Sequence, residues 1–286
     1  MICDRRGRNL KLDITVSQGR VADKVSGVNE GAARIGRALE RRYGATGQFI
    51  GRAALPARDD WRVSLSQARN TLDGLSSAIA ASVAAGNLPV MVANTCAASL
   101  ASLPIAAREY PDAVVLWIDA HGDFNTPATT DTGYLGGMVL SAACGLWDSG
   151  HGAGLRSENV VLIGARDIDQ AEGELLQDAC VRVIPPKEVT PETVMAAIAG
   201  ARVWIHLDWD ALEPGFVPAD YKVPGGMTPA QLRVIFEAIP SAQLAGIELA
   251  EFQAGTDDEA DERAVSIILD TIAPLLERGR DGAVRA

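Results

Sequence analysis

Apolar residues in this chain fall into short continuous runs, separated by stretches with a helical period. LDITVSQ (12–18), PVMVAN (89–94), AVVLWIDA (113–120), NVVLIGA (159–165), VRVIP (181–185), RVWIHLDWD (202–210) and LAGIELAEF (244–252) read as strands. Several are apolar throughout, the pattern of strands covered on both faces. Between them, residues 29–43, 65–86, 190–201 and 257–279 carry the i, i+3, i+4 recurrence of amphipathic helices. This alternation predicts an α/β fold: a single three-layer α/β/α domain with a mostly parallel central sheet. No repeat, low-complexity segment or linker interrupts it. One catalytic-sized domain over residues 11–286 is expected, behind a loose leader over residues 1–10 (MICDRRGRNL).

Composition narrows the function. A chain of 286 residues that is 48% hydrophobic can bury a large core. The formal charge of −11 argues against a nucleic-acid partner, which needs a basic footprint. It suits a cationic ligand, or carboxylates gathered around metal ions. No apolar run is long enough to span a bilayer, so no membrane partner is expected. The basic start lacks the apolar core of a signal peptide, which makes the cytoplasm the expected compartment. Cys3, Cys96, Cys144 and Cys180 are scattered without a CxxC pair, so neither a zinc ribbon nor a disulfide framework is expected. His121, His151 and His206 are the only histidines, so any imidazole chemistry must come from these three.

Open α/β sheets bind ligands beyond the carboxyl ends of their strands, and here those ends carry acid. DAHGDFNTP (119–127) follows the apolar run AVVLWI, and its Asp119, His121 and Asp123 alternate. In an extended backbone all three point to one side. HLDWDALEP (206–214) places Asp208 and Asp210 two apart at a second strand end. Single aspartates after strands are ordinary helix caps or turn formers; two such sets together make a poor core and a good metal site. Five ligands, four of them acidic, exceed what one zinc ion takes. Oxygen-rich ligation with one imidazole suits harder ions, and alternate carboxylates can bridge two of them. The chemistry indicated is metal-assisted hydrolysis.

DAHGDFNTP and HLDWDALEP, followed by GGMT (225–228) and ELAEF (248–252), resemble in order the motifs of the ureohydrolase superfamily of arginases and agmatinases. The resemblance runs from about residue 12 to 275 and implies an arginase-like fold. It implies two Mn²⁺ ions and hydrolysis of a guanidine group in a small-molecule guanidine or hydroxyguanidine amino acid. It also implies Asp119, His121, Asp123, Asp208 and Asp210 as metal ligands, with Asp123 relaying a proton. Glu251 is implied beside the guanidinium, and Asn125, Thr132 and Asp169 against the substrate's amino-acid head. Family members often form homo-oligomers, though no interface signature is visible here.

Two departures from the family pattern stand out. The superfamily's sixth ligand is a histidine in GGDHS, and ANTCAAS (93–99) places Cys96 in that register, with Asn94 and Thr95 replacing the preceding Gly-Asp. A thiolate can ligate beside a dication; the alternative is an inert core cysteine with one metal site weak or empty. Arginases also carry SGNLHG, whose histidine serves the leaving amine. The matching TGYLGG (132–137) has Gly136 there instead. His206 takes the place of the family's serine before the second aspartate pair and is expected to sit behind the ligands or in the core. Cys144 is expected in the core. The two departures together resemble the superfamily branch of D-cycloserine antibiotic biosynthesis. That resemblance implies hydrolysis of N-omega-hydroxy-L-arginine to hydroxyurea and L-ornithine. An arginase or agmatinase, or a metal-poor relic without activity, are the alternatives.

Overall fold

A computed structural model of the chain describes residues 2–3 and 9–277. Residues 1, 4–8 and 278–286 lie outside that set, and with them most of the expected leader and the end of the last predicted helix. Ile2–Cys3 and Asn9–Leu10 form a two-residue antiparallel pair apart from the main sheet.

The main sheet has eight strands, β1 (Leu12–Ser17), β2 (Gly47–Ile50), β3 (Leu88–Val92), β4 (Val114–Ile118), β5 (Val160–Ile163), β6 (Arg182–Ile184), β7 (Val203–Asp208) and β8 (Leu244–Ala250). Their spatial order is β2-β1-β3-β8-β7-β4-β5-β6, and every pairing is parallel. Each of the seven predicted strands is present. The edge strand β2 was not predicted; GQFI is short and partly exposed, so it lacks the apolar signature of its neighbours.

Helices α1 (Val28–Tyr43), α2 (Trp61–Ala84), α3 (Leu103–Glu109), α4 (Val139–Ala143), α5 (Gln170–Asp178), α6 (Pro191–Ile198), α7 (Pro229–Ala238) and α8 (Asp258–Glu277) cover both faces. α2 starts four residues before the predicted boundary because Asp60 caps it, accepting the Arg62 N–H. Capping boxes at Thr190/Thr193 and Thr228/Gln231 start α6 and α7.

The strands supply alternate residues to two cores, as the pleat requires. Val90, Val92, Leu116, Ile118, Ile205 and Leu207 pack on one face with α1, α7 and α8. Met91, Val115, Trp117 and Trp204 pack on the other with α2, α3 and α4, and the half-buried Cys144 packs against that cluster. No helix among the described residues is long and apolar enough to cross a membrane.

For function, the strand order matters most. β3, β8, β7 and β4 are contiguous at the centre of the sheet, although the segment carrying β3 and β4 (88–118) lies far upstream of the one carrying β7 and β8 (203–250). Their carboxyl ends bring ANTCAAS, ELAEF, HLDWD and DAHGD together.

Candidate active site and metal centre

A cavity of about 240 Å³ opens beyond these four strand ends. It is lined by all ten predicted site residues, Cys96, Asp119, His121, Asp123, Asn125, Thr132, Asp169, Asp208, Asp210 and Glu251.

The acidic loops are held by their own backbone. Asp119 follows the last residue of β4, and its Oδ1 accepts the His121 N–H at 2.7 Å. Asp208 closes β7, and its Oδ1 accepts the Asp210 N–H at 2.7 Å, starting a short helical turn. Asp210 Oδ1 accepts the Ala120 N–H at 3.1 Å, locking the two loops together. His121 Nδ1 lies 3.2 Å from Asp119 and 3.1 Å from Asp210. The loop Asp210–Leu212 is braced from behind. Met227 of GGMT exchanges backbone hydrogen bonds with Ala211 and Glu213. A side chain at Gly226 would meet the Leu212 carbonyl carbon at 2.4 Å, so that motif is a close backbone approach. Arg166 donates to the carbonyls of Asp210 at 2.9 Å and Val223 at 2.6 Å.

The extended alternation expected for Asp119, His121 and Asp123 does not hold. β4 ends at Ile118, and Asp123 has φ 48°, in the left-handed region. Its carboxylate is aimed by a turn and not by the pleat. Glu251, just past β8, has φ 66°. Two carboxylates that line the cavity therefore sit in a conformation that costs non-glycine residues on the order of 1–3 kcal/mol each.

On the β3 side, Cys96 begins a helical turn in which Asn94 and Thr95 anchor the chain. Asn94 Nδ2 donates to the Gly19 carbonyl and to Asp23, and Thr95 donates to the Val21 carbonyl. The replacements of Gly-Asp thus tie the Cys96 turn to the loop after β1. Cys96 Sγ lies 3.1 Å from Asp208 Oδ2, 3.8 Å from Asp119 Oδ2 and 3.4 Å from His206 Nε2. Cys96 N–H donates to Glu251 Oε1 at 3.1 Å.

His206 does sit behind the site, but with partners the sequence did not reveal. It is paired in register with Glu248 on β8 and Trp117 on β4. Its Nδ1 lies 2.9 Å from Glu248, and its ring stacks on Trp117 at 3.5 Å between centroids. Glu248 also accepts from Ser99, Ser102 and the Trp204 indole. A fully buried carboxylate, imidazole and thiol therefore form a row. The visible signal was a Glu and a His inside otherwise apolar strands.

Burial, then mutual repulsion with Asp119 and Asp210, holds the carboxyls of Asp123 and Asp208 well above the usual range. Burial pushes Glu251 up to about 8 against the Cys96 N–H. Burial and then the Asp208 charge raise the Cys96 thiol. Burial opposes charge on Asp119 and His121 as well, but it is outweighed: the His121 contact lowers the Asp119 carboxyl, and the contacts with Asp119 and Asp210 raise the His121 imidazole. Asp123 Oδ2 and His121 Nε2 are buried without a hydrogen-bond partner among the described residues.

Among the described residues, three donor sets have atoms within 4.8 Å of one another: Asp119/His121/Asp210, Cys96/Asp208/Glu251 and Cys96/Asp119/His206. Asp123 lines the same cavity outside these sets. Crowded carboxylates, orphaned donor atoms and a thiol fit divalent cations, which supply the missing positive charge.

Towards solvent, Asn125 Nδ2 donates to Asp169 Oδ2 at 2.8 Å, while Asp169 Oδ1 caps α5 through the Glu172 N–H. Glu172, not singled out from sequence, accepts the Phe124 N–H at 2.8 Å and is raised by burial to about 7. Tyr134 Oη donates to Glu251 Oε1 at 3.2 Å, another contact the sequence did not predict.

The arginase family model matches residues 17–273. The N(omega)-hydroxy-L-arginine amidinohydrolase of Streptomyces lavendulae is 61% identical over 93% of this chain and 97% of its own length. The arginase of Bacillus caldovelox is 29% identical over 62% of this chain and 64% of its own. In structure, the Bacillus subtilis arginase superposes with a TM-score of 0.80 at 22% identity, over 94% of this chain and 99% of its own. The agmatine ureohydrolase of Thermoplasma volcanium gives 0.69 at 19% identity, over 93% and 90%. With its eight-stranded parallel sheet and acidic strand ends, the chain belongs to the arginase family.

Proposed function

We propose that this protein is a binuclear-metal amidinohydrolase that converts N-omega-hydroxy-L-arginine and water to hydroxyurea and L-ornithine. The observation that carries the reading is the departure from the arginase pattern inside the cavity: Cys96 among the metal donors and no side chain at Gly136. The 61% identical hydroxyarginine amidinohydrolase supports it.

Asp119, His121, Asp123, Asp208, Asp210 and Cys96 would hold two ions, taken to be Mn²⁺. Bound there, the ions supply Lewis acidity and lower the pKa of water. Glu251 accepts the N–H groups of the hydroxyguanidine and turns its carbon toward the carboxylate cluster. Asn125, Thr132 and Asp169 hold the α-amino and α-carboxylate groups, which favours an amino acid over agmatine. Asp123 Oδ2 takes a proton from water and returns it to the ornithine nitrogen as the C–N bond breaks. The water oxygen ends as the hydroxyurea carbonyl, and its second proton leaves with the ornithine amine, which departs from the hydroxyguanidinium as an ammonium group. Residues 11–286 are read as one catalytic domain of a cytoplasmic enzyme in antibiotic biosynthesis, without nucleic-acid or membrane partners.

The test is a steady-state comparison of hydroxyurea release from hydroxyarginine with urea release from arginine. It uses manganese-reconstituted wild type and Cys96→His, with the metal content measured. Preference of the wild type for hydroxyarginine, shifting toward arginine in the variant, is expected. Preference of the wild type for arginine makes this an arginase with an unusual ligand. Less than one ion per chain and no turnover of either substrate identifies a relic.

A further inference from the structure

Tyr134 occupies the place that Gly136 leaves open. A Cβ at Gly136 would lie 2.4 Å from Tyr134 Cε1, 2.8 Å from Cζ and 3.0 Å from the hydroxyl oxygen. The absent side chain is therefore what lets the phenol lie across the cavity wall. From there its hydroxyl reaches Glu251 Oε1, the oxygen that also accepts the Cys96 N–H. The ring is held from outside by Lys24, whose ammonium sits 3.6 Å from the Tyr134 centroid and 4.2 Å from that of Tyr221. Lys24 also hydrogen-bonds the Tyr221 hydroxyl and lies 3.9 Å from Asp220. The Tyr221 ring in turn meets His121 edge-on at 4.8 Å. Loops after β1, β4 and β7 are thus joined over the cavity by one cation and two phenols.

We propose that Tyr134 is the specificity-determining residue of this site, its phenol donating a hydrogen bond to the N-hydroxyl oxygen of the substrate while Lys24 positions the ring. This rests on the hydroxyguanidine reading and identifies the group that reads the extra oxygen. A guanidinium offers only donors, and Glu251 answers those. The phenol O–H finds no acceptor on arginine; the added hydroxyl supplies one. Turning from Glu251 to that oxygen also frees an Oε1 lone pair for a substrate N–H. Of the other cavity hydroxyls, Thr130 and Thr132 accept backbone N–H groups in their own turn and Tyr221 accepts from Lys24, so each is held by a loop contact away from Glu251. Tyr134 is the cavity hydroxyl that, among the described residues, donates to Glu251, the carboxylate that faces the reacting group. A site built to hydrogen-bond a substrate hydroxyl discriminates against the analogue lacking it. Because Tyr134 keeps its Glu251 bond when arginine is bound, no buried group is orphaned and the discrimination is smaller than the largest known.

The experiment measures kcat/KM of the manganese-loaded full chain for hydroxyarginine and for arginine in wild type, Tyr134→Phe, Gly136→Ala and Lys24→Met. Metal content and circular dichroism are measured on each. Tyr134→Phe is expected to lower the hydroxyarginine-to-arginine ratio roughly 10- to 100-fold. Gly136→Ala, whose methyl displaces the ring, is expected to lower it in the same direction, and Lys24→Met by a smaller factor. A ratio unchanged in Tyr134→Phe, with both substrates falling together or neither falling, overturns the proposal. If wild type releases no hydroxyurea, the functional reading falls and this inference with it. Hydroxyurea release with an unmoved ratio overturns this inference alone.

Discussion

On the β4 side of the cavity, the half-buried His121 is flanked by the buried carboxylates of Asp119 and Asp210. On the β3 side, Cys96 is buried, and behind it His206 and Glu248 are fully enclosed and tied to Ser99, Ser102 and Trp204. The first arrangement is shaped by two short loops, a few backbone hydrogen bonds and the brace from Met227 and Arg166. The second replaces one imidazole at the rim with a thiol, backed by an imidazole and a carboxylate from two neighbouring strands. Burying Glu248 and His206 is tolerable only because every polar atom finds a partner. A change of donor at Cys96 therefore also alters the contact of the buried His206–Glu248 pair behind it.

The largest expected effect comes from the residue shared by the two halves. Asp119 belongs to donor sets on both sides. Asp119→Ala is expected to lower bound manganese below two per chain and kcat/KM by about a thousandfold. Retention of two tightly bound ions by elemental analysis removes Asp119 from the ligands. Next is Glu248→Gln, which touches only the β3 side. It is expected to weaken one ion roughly 10- to 100-fold, as loss of a ligand's supporting carboxylate does, and to leave the other unchanged. A two-site titration reads this, and in cobalt-substituted protein the thiolate-to-metal absorption band should weaken with it. Equal weakening of both ions would mean that the halves are not separable.

The smallest effect concerns the loop beneath Cys96. Burial raises the Asp23 carboxyl from 3.8 to about 6 despite the Val21 N–H and Asn29. The folded chain therefore holds this proton to higher pH than the unfolded chain. Its contribution to stability is fully present below about pH 4 and is lost as pH rises through 6. At about 1.4 kcal/mol per unit, the change is at most about 3 kcal/mol. Asp23→Asn is expected to reduce the fall in urea midpoint between pH 5 and 7.5. An unchanged fall assigns that pH dependence to another group.

Strand runs and acidic strand ends were legible because each is a local pattern: apolar continuity for doubly covered strands, and paired Asp or His where such a strand stops. The edge strand β2 was not legible, being four residues long and half exposed. Nor was the aim of Asp123, which a left-handed turn sets where alternation had suggested extended chain. Cys96 could be placed by register alone, but its neighbours could not. His206, Glu248 and Trp117 are a row across three strands, and nothing local in 206, 248 or 117 announces that they meet. Tyr134 was invisible as a site residue for a similar reason: its role depends on the space at Gly136 and on a lysine more than a hundred residues upstream.

By itself, then, the sequence determined the α/β alternation, the parallel sheet and most of the donor atoms, because burial and metal ligation demand particular residue types at short spacing. Only the tertiary structure decided which strands lie side by side, and hence that thiol, imidazole and carboxylate form one buried row and that a phenol covers the glycine. Those contacts link residues far apart in the chain, and their geometry depends on sheet order and loop closure, which no single segment encodes.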